Sequence, residues 1–492
     1  MKVMKNYILI LLLAVWCTGC NSWLEIDPKD RVPAQNIFND KIGFLKALNG
    51  IYVEMAASNN SYGSDLSYGL TDVLAQYYNM RNNSNNAYWI YANYDYADKK
   101  ALEKFDDIWS TAYYLIANCN AILEQCDAKQ QMLGEQMYPI IKAEALALRA
   151  MLHFDILRLY GPVPDEEHKD DPAIPYMTSS DQAIQPLLSS TAIDLAVITD
   201  LLGAEELLRA SDPVVIEGAK NFPDDFGNNS LNYRQYRLNY FAVKALLARV
   251  YLWNNDRENA LKYAGQVIEA CQGRVDQEAE NPLFPFVSAD EASDPVSPDR
   301  VFSSEVLFSL YHMGRASLYS TYFSPSLNNA QFLPAGAGRL SEWYDDENDY
   351  RRKMWKQSES GKFYLAKYEE VSNSSGASAR FRYMIPLIRL SEMYLIAAEL
   401  TDDADYAGKC INKLRFHRGA IRVALSDNNK KELITAEYRR EFLGEGQMFF
   451  YYKRNGLLNI PDGGRETGMM NMEIKNYRLP LPESETSQRQ ND

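Results

Sequence analysis

Apolar residues return every three or four positions along much of this chain, the period of a helix with one buried face. From Asn39 or Asp40, either of which can cap, the stripe Phe44, Leu45, Leu48, Tyr52 and Met55 predicts a helix to about Ala56. The same period predicts helices over 66–78, 102–126, 138–160, 193–209, 239–253, 257–271, 387–400, 405–417 and 433–454. Gly161-Pro162 ends the helix before it firmly. Strand-like runs are short, as in Glu305-Val306-Leu307-Phe308-Ser309-Leu310, and 79–100 reads as a loop with one short strand. Helical hairpins at about 39–78, 102–160, 239–271 and 387–456 thus alternate with loop-rich stretches at about 79–100, 162–235 and 273–378. Loops longer than ~15 residues are uncommon unless functional or disordered. These contain Trp and Tyr, which speaks against disorder. The pattern therefore predicts a mainly α fold with minor β, in which a helical scaffold carries a loop-built binding surface.

The hairpin 240–270 has a finer regularity. Ala248 and Tyr251 are three apart, Ala260 follows twelve after Ala248, and Ala264 and Val267 continue the second face. Small residues there let two antiparallel helices approach closely, the spacing of a tetratricopeptide repeat. Ala397, Leu400 and Ala407 take the equivalent places in a second hairpin, and looser units lie at 105–160 and 433–456. Repeats bury their apolar faces only by stacking, so several are needed.

The chain start reads as an address. Lys2 and Lys5 precede a short apolar run, then Cys17-Thr18-Gly19-Cys20, so 1–19 is a lipoprotein signal peptide by pattern and Cys20 the lipidated residue. The run is too short for a membrane span, which needs ~20 apolar residues. Residues 20–492 are read as one domain. Cys119 and Cys126 share one predicted helix, about 10 Å apart along its axis, too far to bridge. With no CxxC pair beyond Cys20, these two, Cys271 and Cys410 are expected as buried free thiols, and no metal or cofactor is expected.

A net charge of −15 removes the basic footprint a nucleic-acid surface requires and suits neutral ligands such as glycans or peptides. The 34 tyrosines among 492 residues suit wet contact surfaces, because Tyr joins a flat apolar face to a polar tip. Sugar C–H faces lie on such rings while Asn, Asp and Arg hold the hydroxyls. Three segments offer both kinds of group. In 88–96, an extended chain would place Trp89 and Tyr91 on one face with Asn93 next along. The second segment carries Tyr319, Tyr322 and Asn328, and the third Trp343 and Tyr344. Two of the three are expected to meet in one cleft. HExxH and GxSxG are absent, and an enzyme is not expected. A cell-surface glycoside hydrolase stays open, with Asp345, Asp346, Glu347 and Asp349 the place to seek a carboxylate pair, as does a helical-repeat adaptor.

Several segments also carry a family resemblance. AEALALRAMLHFDILRLYGPVP (143–164), INKLRFHRGA (411–420), EYRREFLGEGQMFFYYKRNG (437–456), YRLPLPESE (477–485) and CNSWLEIDP (20–28) resemble, in order, landmarks of the SusD/RagB family. Met448 and Tyr451 stand where that family usually has Arg and often has Asp. The resemblance implies an outer-membrane, surface-exposed nutrient-binding lipoprotein on a tetratricopeptide-like scaffold. It also implies delivery of an oligosaccharide or peptide to a TonB-dependent, SusC-like transporter.

Overall fold

Helix starts are set by side chains that satisfy free backbone N–H groups. Asp40 accepts from Gly43 N at 2.7 Å and opens α1 (Lys41–Ala57). Asp98 does the same for α2 (Lys99–Cys126), Ser189 for α4 (Ser190–Ser211), Asn239 for α5 (Tyr240–Trp253) and Asp256 for α6 (Arg257–Gln272). Between α2 and α4 runs α3 (Gln130–Tyr160), interrupted at Gly134, whose φ is +79°. Later come α7 (Ala337–Trp343), α8 (Leu390–Leu400), α9 (Ala404–Phe416), α10 (Lys430–Glu441) and α11 (Met448–Arg454). The computed structural model describes residues 37–181, 183–219, 231–277, 279–371 and 381–489. The leader 1–19 and Cys20 lie outside the described residues.

Helices adjacent in sequence are adjacent in space. α2 packs on α3, α3 on α4, α4 on α5, α5 on α6, α6 on α8 and α8 on α9, while α1 covers α2 and α3. This is a stacked array of helical hairpins. Ala248, Ala260 and Ala264 are fully buried where α5 meets α6, and the Tyr251 ring stacks on Tyr263 at 5.6 Å. Strands occur in antiparallel pairs: β1 (Pro172–Ile174) with β2 (Leu188–Ser189), β3 (Val306–Tyr311) with β6 (Met384–Arg389), β4 (Trp355–Gln357) with β5 (Phe363–Leu365), and β7 (Asn459–Pro461) with β8 (Met469–Asn471). Cys119, Cys126, Cys271 and Cys410 are buried and free. Among the described residues no helix is long and apolar enough to cross a membrane.

Three local expectations are corrected. The helix expected over 66–78 contracts to Leu70–Leu74, because Gln76 takes a left-handed φ of +61° and buried Asp72 accepts from Gly444 N at 2.7 Å and Gly446 N at 3.1 Å. The helix expected over 433–454 is two, broken where Gly444 and Gly446 have φ of +77° and +70°. A side chain on Gly446 would strike the Leu66 and Ser67 carbonyls, so the break is where two distant segments touch. In 88–96, Trp89–Ala92 forms one helical turn and not a strand.

Candidate functional site

Three loops distant in sequence converge at one face: 76–96, 315–336 and the β7–β8 turn at 462–468. Backbone and amide hydrogen bonds bind them. Asn79 N donates to Pro334 O at 2.8 Å, Arg81 N to Gly463 O at 3.1 Å, and Ala87 N to Ala330 O at 2.9 Å. The Asn83 and Asn86 amides both donate to Asn329 O, at 2.8 and 3.0 Å, and Asn86 also to Phe332 O. The buried Asn86 amide, bonded to both carbonyls, holds the two loop backbones in one place.

Rings gather on this frame. Tyr88 and Tyr322 lie 6.3 Å apart, Tyr322 leans on buried Tyr68 at 5.4 Å, and its hydroxyl accepts from Ser64 Oγ at 3.1 Å. Farther along the same segment, Tyr319 and Tyr364 lie 6.0 Å apart. Tyr88, Trp89, Tyr319, Tyr322 and Tyr364 are each half-buried residues. Asn82, Asn85, Asn328 and Gln331 are exposed around them. Burial pushes the Tyr88 hydroxyl well above the usual range, with Asp65 next in effect, and burial likewise raises Tyr319. Both stay protonated and can donate hydrogen bonds at neutral pH.

The structure divides the sequence-derived candidates. Trp89, Tyr319 and Tyr322 belong to the face, and their two segments meet there. Trp89 is fixed by its indole N–H, which donates to Arg81 O at 2.8 Å. Asn93 turns its amide onto Arg81 O and Trp89 O, both at 3.0 Å, and so pins its own loop. Asn328 is exposed but accepts from Ala330 N at 2.9 Å, closing its turn. Tyr91 is buried against Phe105 and Tyr88. Trp343 and Tyr344 are buried too. Trp343 packs edge-on to Tyr77 at 5.5 Å with the Arg339 and Arg439 guanidiniums near its ring. As placed, these three rings serve the core. Tyr88 and Tyr364 were missed.

The acidic cluster is also reassigned. Asp345 accepts from Arg415 at 3.0 Å, buried Asp349 pairs with Arg351 at 2.7 Å, and Asp346 accepts from Ile421 N at 2.8 Å. Hydrogen bonds from Asn348 N and Ile421 N outweigh slight burial and hold Asp346 below the usual carboxylate range. Two of the four carboxylates thus neutralise guanidiniums and a third fixes a turn. Among the described residues no group of three or more His, Cys, Asp or Glu is placed to hold a metal. A groove of about 700 Å³ runs along α9, lined by Val275, Asp276, Gly408, Lys409 and Phe416. It offers one aromatic ring, and Lys409 is taken by Asp405 at 2.6 Å, so it lacks the ring-and-amide character of the loop face.

Comparison with known proteins gives two family matches. A model described as starch-binding associating with outer membrane matches residues 22–212, and one described as SusD family matches residues 299–491. The chain is 22% identical to the SusD-like protein P25 of Formosa agariphila, over 98% of this chain and 96% of that one. A SusD superfamily protein of Bacteroides thetaiotaomicron shares its fold with a TM-score of 0.72 at 23% identity, covering 92% of this chain and 98% of the other. A SusD-like carbohydrate binding protein of Bacteroides vulgatus gives a TM-score of 0.68 at 18% identity, over 92% and 97%.

Proposed function

Because this chain belongs to the SusD family, we propose that it is a cell-surface nutrient-binding lipoprotein. It is anchored to the outer membrane through Cys20 and passes an oligosaccharide to a TonB-dependent, SusC-like transporter without chemically altering it. The observation that carries the reading is the loop face, where half-exposed Tyr88, Trp89, Tyr319, Tyr322 and Tyr364 stand among exposed amides. Flat rings take the C–H faces of sugars, and amides take their hydroxyls. The name of the Bacteroides vulgatus relative, a carbohydrate binding protein, points the same way, and a net charge of −15 suits a neutral ligand.

The test is affinity of the soluble chain starting at residue 21 for a glycan and peptide panel, with Trp89→Ala and Tyr322→Ala as variants. Each substitution should weaken oligosaccharide binding about tenfold or more while circular dichroism stays unchanged. Unchanged affinity in both variants would move the site elsewhere. Cleavage of a bound oligosaccharide would replace the binder with a hydrolase, and binding confined to peptides would replace the sugar.

A further inference from the structure

The rings of the loop face come from segments that share no helix, so something must set their spacing. Arg339 sits on α7, just after the 315–336 loop, and is 1% exposed. Its guanidinium donates to Gln76 O at 2.8 Å, to Arg465 O at 3.0 Å, and to Asp462 O. One side chain thus ties the 76–96 loop and the β7–β8 turn to the helix that follows the third loop. None of its hydrogen bonds goes to a carboxylate. The Asp462 carboxylate is engaged by Arg81 at 2.8 Å and Gly464 N at 2.8 Å. The three bonds to Arg339 therefore end on loop backbone.

The neighbourhood supports the same part. A Cβ at Gly336 would strike the Asn79 and Glu466 side chains, and one at Gly463 the Gln76 side chain and Tyr78 O, so the segments pack closely at these two glycines. Gln76 holds its left-handed turn through an amide that donates to Ala92 O at 2.9 Å and a carbonyl that accepts from Gly463 N at 3.1 Å. Arg81, five residues on, carries the carbonyl that fixes the Trp89 indole. The path from Arg339 to a ligand-facing ring is short and made of hydrogen bonds.

We infer that Arg339 is the positioning residue of the loop face: its planar fork of donors holds the three loops in register and so sets where Trp89 stands. That Trp89 meets ligand rests on the function proposed above; the tying of the loops does not. A lysine at 339 keeps the charge but not the fork, and a methionine keeps only the length.

The experiment compares the soluble wild-type chain with Arg339→Met and Arg339→Lys by hydrogen exchange without ligand and by affinity for the oligosaccharide panel. Exchange should rise about tenfold in 76–96 and 459–471 in the methionine variant, less in the lysine variant, and stay unchanged in α2 to α5. Oligosaccharide affinity of the folded variants should fall in the same order. Exchange unchanged in the loops, or raised equally throughout the scaffold, overturns the inference. So does loosening of the loops with affinity intact. If the methionine variant does not fold, the lysine variant decides by the same readings. Should the wild-type chain bind no glycan, the functional reading fails while exchange still decides the loop tie.

Discussion

His153 shows how burial sets the chemistry of a single residue. It lies on α3 at 0% exposure, between Arg149 and Tyr176. Its Nε2 accepts from Met177 N at 2.9 Å, so its Nδ1 carries the hydrogen and donates to Arg149 O at 2.9 Å. Burial pushes its pKa down to about 3, and the nearby Arg149 charge adds to that against the bond to the Arg149 carbonyl. The folded chain therefore keeps it neutral while the unfolded chain takes a proton below about pH 6.5. Stability from this group is complete above that pH and is lost as pH falls toward the folded value. The advantage of wild type over His153→Gln should shrink by about 2 kcal/mol between pH 7 and about pH 5 in urea unfolding. A gap independent of pH would reject the argument. Asp65 has the opposite sign, since burial raises it to about 6, but both chains carry it and it cancels.

At the scale of elements, family landmarks act as joints. Lys453 on α11 is buried and donates to Arg158 O and Gly161 O, both at 2.7 Å, where α3 ends. A donor on terminal carbonyls satisfies groups the helix cannot. The Arg158 guanidinium in turn lies 3.9 Å from the Phe450 ring centroid. The LYG stop and the KRN segment, nearly three hundred positions apart, thus form one contact. Lys453→Met should cost about 2–3 kcal/mol, because it strands buried carbonyls. Faster exchange at 157–161 than elsewhere in α3 would locate the loss; an unchanged melting temperature would count against it. Helix periods made α2, α4, α5, α6 and α9 legible within a few residues. They failed at 66–78 and 433–454, where Asp72, Gly444 and Gly446 bind each other across the chain.

Across the whole molecule, buried charge holds the C-terminal half together. Arg351, Arg389, Arg415, Arg418, Arg440 and Lys367 meet Glu305, Asp345, Asp349, Glu437, Glu441 and Glu445, so six cations face six carboxylates, of which only Asp345 is exposed. Glu441 is at the centre, 2.6 Å from Arg418 and 2.8 Å from Arg351, and bonded also to Arg389. Burial alone would raise its pKa, but the Arg418, Arg389 and Arg351 charges outweigh it and hold Glu441 well below the usual range. Its stabilisation is present above the ordinary glutamate pKa and fades as pH falls through the lower folded value. Glu441→Gln should cost about 3–5 kcal/mol near neutral pH by removing the one buried charge that three guanidiniums share. That gap should narrow on acidification below about pH 4.5, as followed by thermal unfolding. A gap that widened with acid would exclude Glu441 as the keystone.

Local pattern by itself determined the helical hairpins, the small residues at their contacts and the aromatic character of the loops. Those properties depend on neighbours three, four or seven positions away, which one chain displays openly. Only tertiary structure decided which rings meet solvent. Trp89 and Tyr322 are half-buried while Trp343 and Tyr91 are buried, although all four sit in similar polar-aromatic segments. A ring's exposure depends on what distant chain packs behind it, here Tyr68 behind Tyr322 and Tyr77 beside Trp343. The same holds for the arginines. Many of their buried partners lie tens to hundreds of residues away, as Glu305 does from Arg418 and Glu441 from Arg351, so no local period announces which will meet a carboxylate and which, like Arg339, will bind the backbone of a loop.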